Sequence, residues 1–212
     1  MRFLLANPQV VLRLLLEHIG LTGFSLLLAI LIALPLGWLL HNHRRLAGPV
    51  LSVLGIIYTI PSIALIIFFI PVFGLNARSV LVALVLYCQI ILVRNVLAGL
   101  DGIDPAILEA ARGMGMGTWQ ITWRVEFPLA LPVILAGVRI AGVVSLSIAT
   151  LGAKFGAGGL GTLLFDGIAQ AGRFDKIWLG ALLVGGLALL LNRGLLALER
   201  RYTPQLQVQK VS

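Results

Sequence analysis

Apolar blocks of about twenty residues recur along this chain, the length a helix needs to cross a bilayer core about 30 Å thick. Spans are expected at residues 19–40, 50–70, 80–97, 131–151 and 177–198, about five in all. No acidic residue falls inside any of them. Hydrophobic residues make up 59% of the chain and charged residues 11%, whereas a soluble domain carries about 25% charged residues. That much apolar side chain, delivered in blocks, cannot be hidden in one water-soluble core. The expected fold is an all-α integral membrane protein. The early apolar run is interrupted by Arg13, Glu17 and His18, and no small-residue cleavage site follows. It therefore does not read as a cleaved signal peptide, and the first block would serve as the insertion signal.

The chain divides into an N-terminal segment 1–18, a membrane domain 19–198 and a polar tail 199–212. Residues 7–18 read as a short amphipathic helix at the lipid surface, with Val10, Val11, Leu14 and Leu15 opposing Arg13, Glu17 and His18. Pro61 near the middle of the second span removes a backbone hydrogen bond and predicts a kink. The net charge of +8 is explained by the Lys and Arg content of cytoplasmic loops. No basic run with interleaved aromatics points to nucleic acid. With the N-terminus outside, nine Lys and Arg residues lie inside, among them Arg44, Arg45, Arg112, Arg124 and Lys210, against six outside. This favours an outer N-terminus and an inner C-terminus.

Several residues invite a chemical reading and lose to a plainer one. Cys88 is the single cysteine, so no intramolecular disulfide is possible, and it reads as packing. His41 and His43 have no Cys, Asp or Glu beside them in their loop and do not make a metal site. Gly156, Gly158 and Gly161 spell G-x-G-x-x-G, but a dinucleotide site needs a strand before it, and here a span precedes; a flexible outer turn is expected. Gly137 with Ala141, and Ala181 with Gly185, have the four-residue spacing that lets helices approach closely in lipid. Arg94 and Arg193 fall near span ends, where snorkelling accounts for them. Arg139 lies deeper and is the candidate for a structural ion pair.

Polar groups are sparse in the spans. Tyr58, Thr59, Pro61 and Ser62 cluster at the expected kink, and Ser145, Ser147 and Thr150 fall in the later half of the fourth span. These are the candidates for a translocation path, although such hydroxyls also bond their own helix backbone. No group of aromatics reads as a cage for a quaternary ammonium.

Residues 98–128 form a polar stretch too long for a bare connection, and loops of that length are usually functional. Asp104 can cap a helix whose first turn suits Pro105. Glu109 and Arg112 have pairing spacing. Gly113, Gly115 and Gly117 stop that helix, and a second short helix is expected from Trp119 to Val125, capped by Thr118 and ending before Pro128. Two short helices joined by glycines and presented to the cytoplasm form a docking element for a soluble partner.

In this stretch Glu109-Ala110-Ala111 is followed after three residues by Gly115, then by Val125 and by Phe127-Pro128. It resembles the EAA loop of permease subunits of ATP-binding-cassette importers, with Val125 and Phe127 standing where the family signature has Ile and Leu. The resemblance covers most of the chain and is closest to the glycine betaine, carnitine and choline group. Its other carriers are residues 58–65, Arg94 to Leu100, Ile103-Asp104-Pro105 and the glycine segment 156–161.

The resemblance implies a MetI-like arrangement with Glu109, Ala110, Ala111, Arg112 and Gly115 in the ATPase-coupling helices. It implies a bacterial inner-membrane location, a second permease subunit, lipid around the spans, and a substrate-binding protein outside on a separate chain. ATP and magnesium would sit on the partner ATPase, since this chain has no G-x-x-x-x-G-K-[ST] loop; no catalytic residue and no cofactor are expected on it. An importer of another solute such as an amino acid, and a non-transport anchoring subunit, remain as alternatives.

Overall fold

The computed structural model describes residues 2–170 and 172–203. All its elements are helical. In chain order they are α1 (Arg2–Ala6), α2 (Pro8–Asn42), α3 (Arg44–Thr59), α4 (Ser62–Phe73), α5 (Ala77–Asp101), α6 (Pro105–Gly113), α7 (Thr118–Ile121), α8 (Phe127–Gly152), α9 (Gly161–Ala169) and α10 (Phe174–Tyr202). A π turn, Thr122–Glu126, joins α7 to α8, and a 3-10 turn, Ala153–Phe155, follows α8. Four helical runs are long and apolar enough to cross a membrane, and counting the bent pair α3 and α4 as one broken span gives five.

The expected interfacial helix over 7–18 is not separate. It continues without a break into the first span as the 35-residue α2, about 52 Å long at 1.5 Å per residue. Pro8 sits in its first turn, where proline is tolerated. Gly20 and Gly23 do not interrupt it. The second span departs from expectation in degree: Pro61 does not kink a helix but separates two, bent by 96°.

The α5 helix is the centre of the bundle, with α2, α3, α4 and α8 packed around it. Val80, Leu84, Cys88, Val93 and Val96 are all buried. Small residues set the spacing. A Cβ on Gly37 of α2 would lie 2.5 Å from Val96, and one on Gly137 of α8 would lie 2.5 Å from Asn95. Gly137 and Ala141 thus form a packing seam against α5, both buried. Ala181 and Gly185 do not: both are exposed on α10, and nothing lies within 4 Å of a Cβ on Gly185.

The outer layer is α10, which packs on α8 and α9. Arg139 holds its lower half, donating from Nε to Glu199 Oε2 at 3.2 Å and from a terminal nitrogen to Asn192 Oδ1 at 3.2 Å. The deep arginine is therefore half of a structural ion pair. Arg139→Leu leaves Glu199 without its cation and is expected to cost about 2 kcal/mol. A lowered melting temperature in detergent, with α10 residues becoming protease-sensitive first, is the readout.

The glycine segment 152–176 holds more order than the sequence suggests, including α9. Its G-x-G-x-x-G loop follows a helix and a 3-10 turn, not a strand. Gly156, Gly158 and Gly159 have φ of +78°, +70° and +79°, a region L side chains avoid. The Gly159 amide donates to Glu17 Oε2 at 3.0 Å. The loop is a packed clasp over the first half of α2 rather than a flexible turn: Gly159, Leu160 and Gly161 are buried. The tail beyond Thr203, including Lys210, lies outside the described residues.

Candidate functional site: a coupling helix at the end of the bundle

Asp104 caps α6 as its sequence suggests. Its Oδ1 accepts from the Ala106 amide at 2.9 Å, and Pro105 occupies the first turn. At the other end the Met116 amide donates to Ala111 O at 3.2 Å and the Gly115 amide to Arg112 O at 2.9 Å. This pair of bonds is a Schellman closure, which requires a left-handed residue. Gly115 supplies it with φ +78°. No atom lies within 4 Å of a Cβ placed there, so conformation, not space, demands glycine at that point.

Ala111 is buried, whereas Glu109, Ala110 and Arg112 are exposed. Among the described residues no ion pair joins Glu109 to Arg112 or engages either charge. Around them large apolar side chains are uncovered: Ile107 is 42% exposed, Met114 75% and Trp119 67%. A face that mixes exposed apolar groups with exposed charges suits a protein partner.

The second helix differs from expectation. Its N-cap is Gly117, whose amide donates to Gln120 Oε1 at 3.1 Å; Thr118 is the first helical residue. Nor does it end before Pro128. It runs through the π turn into α8, with the Phe127 amide donating to Thr122 O. Proline clashes with the carbonyl four residues before it in an α-helix. The wider π turn relieves that clash, and Thr122 Oγ1 donates to Glu126 Oε2 at 2.9 Å across it. The second helix of this loop is therefore continuous with a membrane span.

The candidate path residues separate into two groups. Tyr58, Thr59, Pro61 and Ser62 lie together at the α3–α4 break, Tyr58, Thr59 and Pro61 being exposed. Thr59 Oγ1 donates to Ile56 O at 2.7 Å. On α8, Ser147 is exposed and Thr150 half-buried, their hydroxyls donating to Val143 O at 3.1 Å and Leu146 O at 2.9 Å. Ser145 points elsewhere. It is fully buried, its Oγ 3.1 Å from Cys88 Sγ in the α5–α8 seam.

One contributor escaped the sequence reading. The Tyr87 ring of α5 lies tilted against Tyr58, ring centroids 5.3 Å apart, and its hydroxyl donates to Ile60 O. A carbonyl left open before Pro61 needs a donor in lipid, and that requirement is the signal that could have found it. Tyr87→Phe is expected to cost about 1 kcal/mol, read as a lower melting temperature of the detergent-solubilised protein. An unchanged melting temperature would show that Ile60 O finds another donor.

The fold is that of a MetI-like permease. It matches the MetNI methionine ABC transporter in an inward-facing conformation with a TM-score of 0.84 and 24% identity, covering 92% of this chain and 97% of that one. Residues 25–204 match the model of the binding-protein-dependent transport system inner membrane component family, and the chain belongs to that family. Among its relatives are the osmoprotectant import permease protein OsmW of Salmonella typhimurium, 38% identical over 96% of each chain, and the carnitine transport permease protein OpuCB of Listeria monocytogenes, 37% identical over 89% of this chain and 86% of that one. The glycine betaine/carnitine/choline transport system permease protein OpuCB of Bacillus subtilis is 35% identical over 89% and 87%. This chain is thus a multi-pass permease subunit of an ABC importer.

Proposed function

We propose that this permease imports a compatible solute of the glycine betaine, choline or carnitine kind, received from an external binding protein. Two permease subunits enclose the path and a separate ATPase drives it. The observation that carries the coupling part is the exposed α6, with the E-A-A and glycine spacing intact and its end closed by Gly115. The relatives named for these solutes carry the substrate part.

In this reading α6 faces the cytoplasm, the N-terminus lies outside and the C-terminus inside. Glu109, Ala110, Arg112 and Gly115 form the ATPase contact, whereas Ala111, expected with them, is buried and turns inward. Tyr58, Thr59, Pro61, Ser62, Ser147 and Thr150 offer the few polar groups to a passing solute. Ser145 contributes by holding α8 against α5. Among these candidate residues a zwitterion or a cation would meet hydroxyls and an aromatic face rather than a counter-ion.

The test is reconstitution in vesicles with the cognate ATPase and binding protein, followed by uptake of labelled glycine betaine, choline, carnitine and methionine. ATP-dependent uptake of at least one of the first three, and not of methionine, is the expected result. Uptake of methionine alone would overturn the solute reading. Absence of any solute-stimulated ATP hydrolysis would overturn transport itself.

A further inference from the structure

Asp101 is the last residue of α5, and only Gly102 and Ile103 separate it from the cap of the coupling helix. Both oxygens of its carboxylate are engaged from across the bundle. His41 Nδ1 donates to Oδ1 at 2.6 Å, and the Arg44 guanidinium donates to Oδ2. His41 is in the last turn of α2, and Arg44 is the first residue of α3. One carboxylate therefore ties the α2–α3 corner to the α5–α6 corner, joining residues about sixty apart in sequence.

The contact is poorly explained as a source of stability. The Arg44 side chain is 61% exposed and that of Asp101 33%, and ion pairs in such positions contribute little, about 0–1 kcal/mol. The buried seams between α2 and α5 already hold those helices together. What the contact adds is geometry. The α3 helix is fastened to α5 at both ends, by Arg44 to Asp101 and by Ile60 O to the Tyr87 hydroxyl. The α3–α4 break at Pro61, bent by 96°, lies just beyond the second fastening. A displacement of α6 enters α8 through α7 and enters α5 through Gly102 and Ile103, whose amides bond back to Ala98 O and Leu100 O, and the Asp101 contact carries it across to α2 and α3.

We propose that Asp101 is a positioning residue that makes the coupling helix and the α2–α3 corner move as one body, so that a thrust on α6 reaches the α3–α4 break. The proposal rests on the permease reading and is independent of which solute is carried. Asp101 passes on motion; it does not touch the solute.

The test uses the complex with its ATPase in lipid nanodiscs. Spin labels are placed through Arg45→Cys and Ala106→Cys, with the buried Cys88 left in place, and the distance between them is measured with and without bound ATP. The expected wild-type result is one narrow distance that stays the same in both states. Asp101→Ala should broaden it, and Asp101→Glu should keep it narrow. The double variant His41→Ala/Arg44→Ala attacks the same contact from the other side and should broaden it equally. In vesicles, glycine betaine uptake per ATP hydrolysed should fall about tenfold in Asp101→Ala, a typical size for a lost coupling between sites. A wild-type distance that shifts on ATP binding, or variants whose distribution stays narrow, would overturn the proposal. If the wild-type complex takes up none of glycine betaine, choline and carnitine, the solute reading fails, and the label distances still decide the role of Asp101.

Discussion

Glu109→Lys is expected to strip the ATPase from the purified complex while the chain inserts and accumulates as before. Glu109 is exposed, has no ion-pair partner among the described residues and lies in the middle of α6. Replacing it removes no contact within the chain, so folding has no reason to suffer. A partner that places a cation against this carboxylate would instead meet a second cation, and like charges across an interface are strongly disfavoured. Co-purification in mild detergent reads the outcome directly. Gly115→Ala should act on the same interface by another route. It forces an L side chain to φ +78°, at about 1–2 kcal/mol, which loosens the Schellman closure and the angle between α6 and α7. Gly113→Ala is the control, since that glycine has neither a positive φ nor a neighbour within 4 Å of a Cβ. Recovery of the ATPase with Glu109→Lys and Gly115→Ala at wild-type levels would remove α6 from the coupling role.

Gly161→Ala is expected to be the most damaging single methyl in the chain. A Cβ at Gly161 would lie 2.0 Å from the carbonyl oxygen of Thr150. That oxygen belongs to the backbone of α8 and cannot rotate away as a side chain would. Either α9 lifts from α8 or the clasp over 156–161 opens, and overpacking of this kind costs about 3 kcal/mol or more. The buried cluster that α9 helps to close, with Val11, Leu14, Leu160, Leu163 and Leu179, would open to lipid. Loss of monodisperse protein on detergent extraction is the measurement. A variant that extracts and melts like the wild type would mean that α8 and α9 are not packed this closely.

The candidate coupling helix was legible because its signals are local. The cap at Asp104, the proline after it and the glycines that stop the helix each act within four residues; the structure shows Asp104 and Gly115 bonded and Pro105 in the first turn. The path candidates were legible only as a roster. Ser145 and Ser147 are two residues apart, about 200° around a helix, so one faces α5 and the other does not. Which of the two is buried depends on where α5 lies, and no pattern within α8 contains that. The ion pair of Arg139 shows the same division. Its depth in a span marked it as paired, but Glu199 is sixty residues away and stood in what read as a solvated tail.

The amino-acid sequence by itself determined that this chain is a bundle of membrane-crossing helices, because the length of an apolar block and the thickness of a bilayer leave few alternatives. It also determined where the bundle presents a structured element outside the lipid, because helix caps and glycine stops are short-range chemistry. The tertiary structure alone decided that Pro61 breaks its span rather than bending it, since only the Tyr87 hydroxyl arriving from α5 satisfies the carbonyl that the break exposes. It alone brought His41 and Arg44 onto the Asp101 carboxylate. Contacts of that kind join residues far apart in the chain, and they exist only once the helices have chosen their neighbours.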